Sequence, residues 1–258
     1  HDSQDPVSER AIHTHIYTHR MRYYRFRGNS MISRIGYLLV LVIAVGGFFV
    51  QSRLQSVFDR YSKETFASGM TGAEVAEKML RDNGITDVRV IHTPGKLTDH
   101  FNPMDKTVNL SDAVYASNSV AAAAVAAHEC GHAVQHAVGY APLRMRSALV
   151  PVTSFSSQYS TWVILGGVAL AATTNNMIVF WIGIAMVAVS ALFSLVTLPV
   201  EYDASRRALA WLDEQNILTD QQHAQAQEAL SWAARTYLVA ALSAIAVLIY
   251  YLGFARRD

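Results

Sequence analysis

In the stretch "AAHECGHAVQH", residues 126–136, two histidines stand four positions apart and a glutamate directly follows the first. On an α-helix such a pair shares one face about 6 Å apart along the axis, so His128 and His132 can reach one cation. Glu129 points to the neighbouring side of that face, where its carboxylate can meet a water without binding the ion. Those parts suit hydrolysis of an amide. A zinc ion (Zn2+) acidifies the water and polarises the carbonyl, while Glu129 takes the proton and hands it to the leaving amine. Cys130 faces away from both histidines and reads as a small buried side chain. The plainer reading is a solvated histidine face on an alanine-rich helix.

A catalytic zinc needs a third protein ligand and an open fourth position. Candidates are His136, His92, His100, Asp99, Glu201 and Asp203. His136 lies about 12 Å along the helix from His128, too far to share the ion. Asp99 and His100 read as a strand-end pair that could line a cleft, and His100 or Tyr202 could steady the developing oxyanion. Glu201 is the best placed, for a reason that comes from the rest of the chain.

That reason is the distribution of charge. The chain is 52% apolar and 16% charged, and residues 35–52, 147–200 and 236–255 carry no charge at all. About 20 apolar residues cross a bilayer. The long run breaks at "TTNN", residues 173–176, which suits the turn of a helical hairpin. Four transmembrane helices follow, at 31–52, 147–172, 177–200 and 236–255. Since the middle two form a hairpin, residues 53–146 and 201–235 lie on the same side of the membrane. Glu201, the first charge after the hairpin, is thereby returned beside the helix that carries His132. Its competing role is an interfacial carboxylate paired with Arg144, Arg206 or Arg207.

The 53–146 stretch reads as a compact metallopeptidase domain. The first span continues as an amphipathic helix through "RLQSVFDRYSKETF". Thr71 and Glu74 form a capping-box signature, and Gly84 is a stop. Three short alternating segments, "TDVRVIHT", "KLTDHF" and "KTVNLS", predict a small antiparallel sheet. Ser117, Asn118 or Ser119 can cap the histidine-bearing helix, which Gly139 ends. In "PVEYDASRRALAWLDEQN", Pro199 fits a helix first turn or a kink. Residues 1–30 are polar and irregular, and are read as a disordered or non-native leader before Met31.

A net charge of +1 gives no electrostatic footprint for nucleic acid, and the single cysteine excludes an intramolecular disulfide framework. On the site-bearing side the basic residues near the spans are Arg53, Arg60, Lys63, Arg144, Arg146, Arg206, Arg207 and Arg235. Opposite them stand Arg34, Arg256 and Arg257. Positive-inside counting thus places the site in the cytoplasm. If Arg20, Arg22, Arg25 and Arg27 belong to the native chain, the two sides nearly balance.

The motifs "GMTGAEVAEKML", "GKLTDHFNP", "AAHECGHAVQHAVGYAPLRMRSALVPV" and "LVTLPVEYDASRRAL" resemble, in order and spacing, the YugP-type membrane zinc metallopeptidases of bacteria. The resemblance covers nearly everything from Ser52 to Arg235. It implies a mainly α integral membrane protein with a zincin-like α+β extramembrane domain in a bacterial plasma membrane. It also implies a gluzincin site, distantly similar to HtpX, in which the glutamate of a later helix completes the zinc set; here that is Glu201. HtpX-like enzymes carry an acidic residue four positions after that glutamate to orient a ligand histidine. This chain has Ser205 there, and Asp203 falls on another face of a regular helix.

The expected activity is zinc-dependent endoproteolysis of polypeptides, membrane proteins among them, at the bilayer surface. An exposed strand within residues 86–110 could pair with an extended peptide. The alternative is a non-catalytic membrane protein whose zinc, closed by His100 or His136, braces a partner-binding domain. A transporter reading would need charged groups deep within the spans, and the runs 35–52, 147–200 and 236–255 contain no Asp, Glu, Lys, Arg or His.

Overall fold

The computed structural model describes residues 6–255, with side chains described at Met31 and from Arg34 onward. The expectation for residues 1–30 falls on residues 1–5, outside the described residues, and on a stretch described by backbone alone.

Ten elements follow in chain order: α1 (Pro6–Tyr61), α2 (Gly72–Asp82), β1 (Arg89–His92), β2 (His100–Asn102), β3 (Thr107–Leu110), α3 (Asp112–Tyr115), α4 (Val120–Val138), α5 (Ala141–Thr174), α6 (Ile178–Gln215) and α7 (Asp220–Ala255). The four long helices pack in the order α1, α7, α6, α5, and α4 is wedged against α2, α6 and α7. Among the described residues, three helices are long and apolar enough to cross a membrane: Arg34–Tyr61, α6 and α7. Their outward faces keep large apolar side chains in the open, Phe48 at 81% exposure for example. Such a surface suits lipid rather than water. The fourth expected span coincides with α5, which has 34 residues but a middle made polar by Thr153, Ser154, Ser156, Ser157, Gln158, Ser160 and Thr161.

Each of α1, α6 and α7 is longer than a bilayer crossing requires and continues into the polar part of the chain. Pro199 does not end α6; the helix runs through it, although the proline ring forgoes the backbone bond to the carbonyl four residues earlier. Glu201 is therefore held on the same rigid helix as the third expected span.

α4 starts where Ser119 accepts a hydrogen bond from the Ala122 amide at 3.1 Å, and stops at Gly139, whose φ of 69° is left-handed. Between those caps nearly every residue up to Gln135 is buried. A helix surrounded on all sides needs thin side chains, and its alanines allow α2, α6 and α7 to approach together.

The sheet differs from the antiparallel expectation. It is mixed, in the order β1-β3-β2, with β1 parallel to β3 and β2 antiparallel to it. Only the β2–β3 link, residues 103–106, is short enough for a hairpin, and it turns through Lys106 at φ 53°. The β1–β2 link, residues 93–99, instead crosses over and leaves the central place to β3. Its end is pinned by Asp99, whose two oxygens accept from the Ser111 amide at 2.7 Å and the Ser111 hydroxyl at 3.0 Å.

Candidate metal centre

The site depends on how closely α4 and α6 meet. At Gly131 a Cβ would lie 2.5 Å from the carbonyl oxygen of Ala204, so only glycine permits this approach. The contact sets Glu201 of α6 opposite His128 and His132 of α4. Nε2 of His128 lies 2.9 Å from Glu201 Oε2, and Nε2 of His132 lies 3.4 Å from the same oxygen. The two imidazole centroids are 4.8 Å apart and nearly perpendicular. One donor atom from each of the three residues falls within 4.8 Å of the others. His132 and Glu201 are buried, at 5% and 3% exposure, which disfavours a solvated histidine face.

The far side of each ring is already engaged. His128 Nδ1 and Ser205 Oγ are 2.9 Å apart, so the serine found in place of an acidic residue supplies an acceptor. His132 Nδ1 meets Gln135 Oε1 at 2.9 Å. The amide of Gln135 is oriented by two acceptors, since its Nε2 donates to the Val200 carbonyl at 2.9 Å and to Asp203 Oδ2 at 2.8 Å. Asp203 thus acts on His132 through Gln135, with no kink in α6 required. Asp203 is held in turn by Arg207 Nε at 2.7 Å and by Arg206. In the tautomer in which each Nδ1 donates outward, both Nε2 lone pairs converge on the shared point, as metal binding requires. Two imidazoles and a carboxylate so arranged fit a zinc ion.

Arg146 completes the set by donating to Glu201 Oε1 at 2.8 Å, leaving Oε2 for the histidines. It, rather than Arg144, Arg206 or Arg207, is the arginine on this carboxylate. Glu129 is 9% exposed and makes no ion pair of this kind among the described residues, although Arg146 is near enough to act on it through charge. Burial pushes its carboxyl up to about 7; the proximity of His128 opposes the rise, while Glu201 and Asp99 add to it. His128, Glu129 and Glu201 all line one cavity of about 190 Å³, together with Asp99 and Tyr237.

The remaining sequence candidates lie elsewhere. His136 is exposed and its ring packs on Phe101 at 5.8 Å. His100 is exposed, with Nδ1 2.7 Å from the Thr98 carbonyl, and His92 pairs with Asp112. Tyr202 is 48% exposed and lines a different cavity, so the phenol facing the site is that of Tyr237. Cys130 is fully buried against the Ala76 carbonyl, and burial pushes its thiol up. Gln135, Arg146 and Tyr237 escaped the sequence reading. Gln135 alone had a signal: three residues after His132, it shares that residue's helical face.

The chain is 37% identical over 216 residues to the "Putative membrane protease YugP" of Bacillus subtilis (strain 168), covering 83% of this chain and 94% of that relative. No solved structure matches it significantly. The sequence pattern of one family, described as "putative neutral zinc metallopeptidase", matches residues 36–256, and the chain belongs to that family.

Proposed function

We propose that the protein is a zinc-dependent endopeptidase working at the membrane surface, with His128, His132 and Glu201 as metal ligands and Glu129 as general base. The observation that carries this reading is the convergence of the three donors beside a cavity that Glu129 also lines. When bound there, zinc supplies Lewis acidity that polarises a carbonyl and acidifies water. Glu129 takes a proton from the water that attacks the scissile carbonyl and returns it to the departing amine nitrogen. A carboxyl raised by burial is a stronger base than one in water, and it sits within the same cleft as the reacting groups. Arg146 donates to one oxygen of Glu201 and so fixes which oxygen faces the histidines. Ser205 and Gln135 hold the two rings in one tautomer and orientation.

Polypeptide is the substrate class that such chemistry serves. β2 is an edge strand, and Asp99, the residue before it, lines the cavity. An extended peptide added to that edge would pass the site. With α5 as a fourth crossing, the site lies against the bilayer on the cytoplasmic side, in reach of membrane proteins and their exposed loops. A purely structural zinc would want a fourth protein ligand, and neither His100 nor His136 lines the cavity.

The test is Glu129→Gln in the purified full chain. Proteolysis should fall by about 10²–10⁴-fold while zinc content stays at the wild-type level. Undiminished proteolysis would remove Glu129 from the role of base.

A further inference from the structure

The cavity beside Glu129 has two unlike sides. One carries the chemistry. The other is apolar, built from Leu54 and Phe58 of α1, Leu97 of the β1–β2 link, and Leu230, Ala233 and Ala234 of α7. Its three carboxylates all lie on the chemical side: both Asp99 oxygens accept from Ser111, Glu201 is held by Arg146 and the histidines, and Glu129 is the proposed base. The apolar side carries no carboxylate to pair with a cationic side chain, and an acidic side chain would face repulsion from the other side. A cavity of about 150 Å³ takes up benzene, so the 190 Å³ here holds one large apolar side chain.

Two further cavities adjoin it and share lining residues with it. Leu54, Phe58 and Leu97 line a second cavity of about 140 Å³ that runs between α1 and the β1–β2 link. Ser205, Leu230 and Ala234 line a third of about 440 Å³ between α6 and α7. Leu97 stands at the first junction, 56% exposed and at φ 55°, a left-handed conformation that leucine rarely adopts. An apolar side chain held there at a conformational cost marks a place where it has something to contact.

Resting on the peptidase reading above, we infer that the central cavity is a side-chain subsite selecting one large apolar residue beside the scissile bond. The substrate backbone continues into the two flanking cavities, and Leu97 and the α7 alanines set the subsite's size.

The experiment uses the full chain, zinc-loaded in detergent, with internally quenched peptides that vary at one position next to the cleaved bond. Wild type should favour Leu, Met or Phe over Gly, Asp and Lys by about 10–200-fold in kcat/KM. Ala233→Phe should reverse the order toward Gly and Ala with zinc content unchanged. Leu97→Ala, at an exposed position that folding tolerates, should shift the optimum toward Trp. A flat preference, a preference for Lys or Arg, or two variants with the wild-type profile would overturn the subsite while leaving the peptidase reading standing. Zinc-loaded wild type that cleaves no peptide would overturn both.

Discussion

Gly131 and Ala204 touch backbone to backbone across α4 and α6, in a space that a single added methyl would fill. The glycine inside the histidine motif therefore sets the distance between the two helices that carry the proposed metal ligands. It has no chemistry of its own, yet the donor convergence depends on it.

Gly131→Ala should accordingly push α6 outward. Overpacking of this kind costs about 1–3 kcal/mol, read as a lower thermal midpoint, and zinc should be retained less well against a chelator. Wild-type zinc retention in a folded Gly131→Ala protein would show that the helix approach is not what forms the site.

The rings of His128 and His132 are oriented by neutral partners, Ser205 and Gln135, where the related pattern uses an acid. Ser205→Ala and Gln135→Leu should each weaken zinc binding about 10–100-fold, measured by chelator competition. Ser205→Ala is the cleaner variant, since Gln135→Leu also strands the Val200 carbonyl and Asp203. Unchanged affinity in Ser205→Ala would mean that packing alone holds His128.

A polar tether joins the extramembrane domain to α6. Trp211 Nε1 donates to Asp82 Oδ2 at 2.9 Å, and Lys78 reaches the same oxygen at 3.0 Å. Partial burial pushes the Asp82 carboxyl up, but these two hydrogen bonds outweigh it and hold the group below its ordinary value. On acidification the unfolded chain then takes up its proton first. The tether's contribution, about 0.5–1 kcal/mol after solvent screening, is present above pH ~4 and lost as pH falls through the folded value. Asp82→Asn should lower the thermal midpoint at pH 6, and by less at pH 3. An equal difference at both pH values would contradict this.

Local and patterned features were legible from residues alone. Ser119 and Gly139 bound α4 because caps are decided within a few residues. The uncharged 147–200 stretch placed Glu201 near His132 because a hairpin forces its two ends together. The sheet order is not legible in the sequence, since β1 pairs in parallel with β3 across the intervening β2, and no local pattern announces which strand takes the centre. The continuity of α6 through Pro199 was left open, because packing along α5 and α7 overrides the proline's preference for a helix start. Asp203 looked misplaced on a regular helix because its link to His132 runs through Gln135 on another helix.

The most direct measurement is the zinc content and peptide hydrolysis of purified Glu201→Ala beside wild type. Wild type should hold stoichiometric zinc and cleave peptides, and Glu201→Ala should lose both. A Glu201→Ala protein that keeps full zinc and full activity would contradict the assignment of Glu201 as the third ligand.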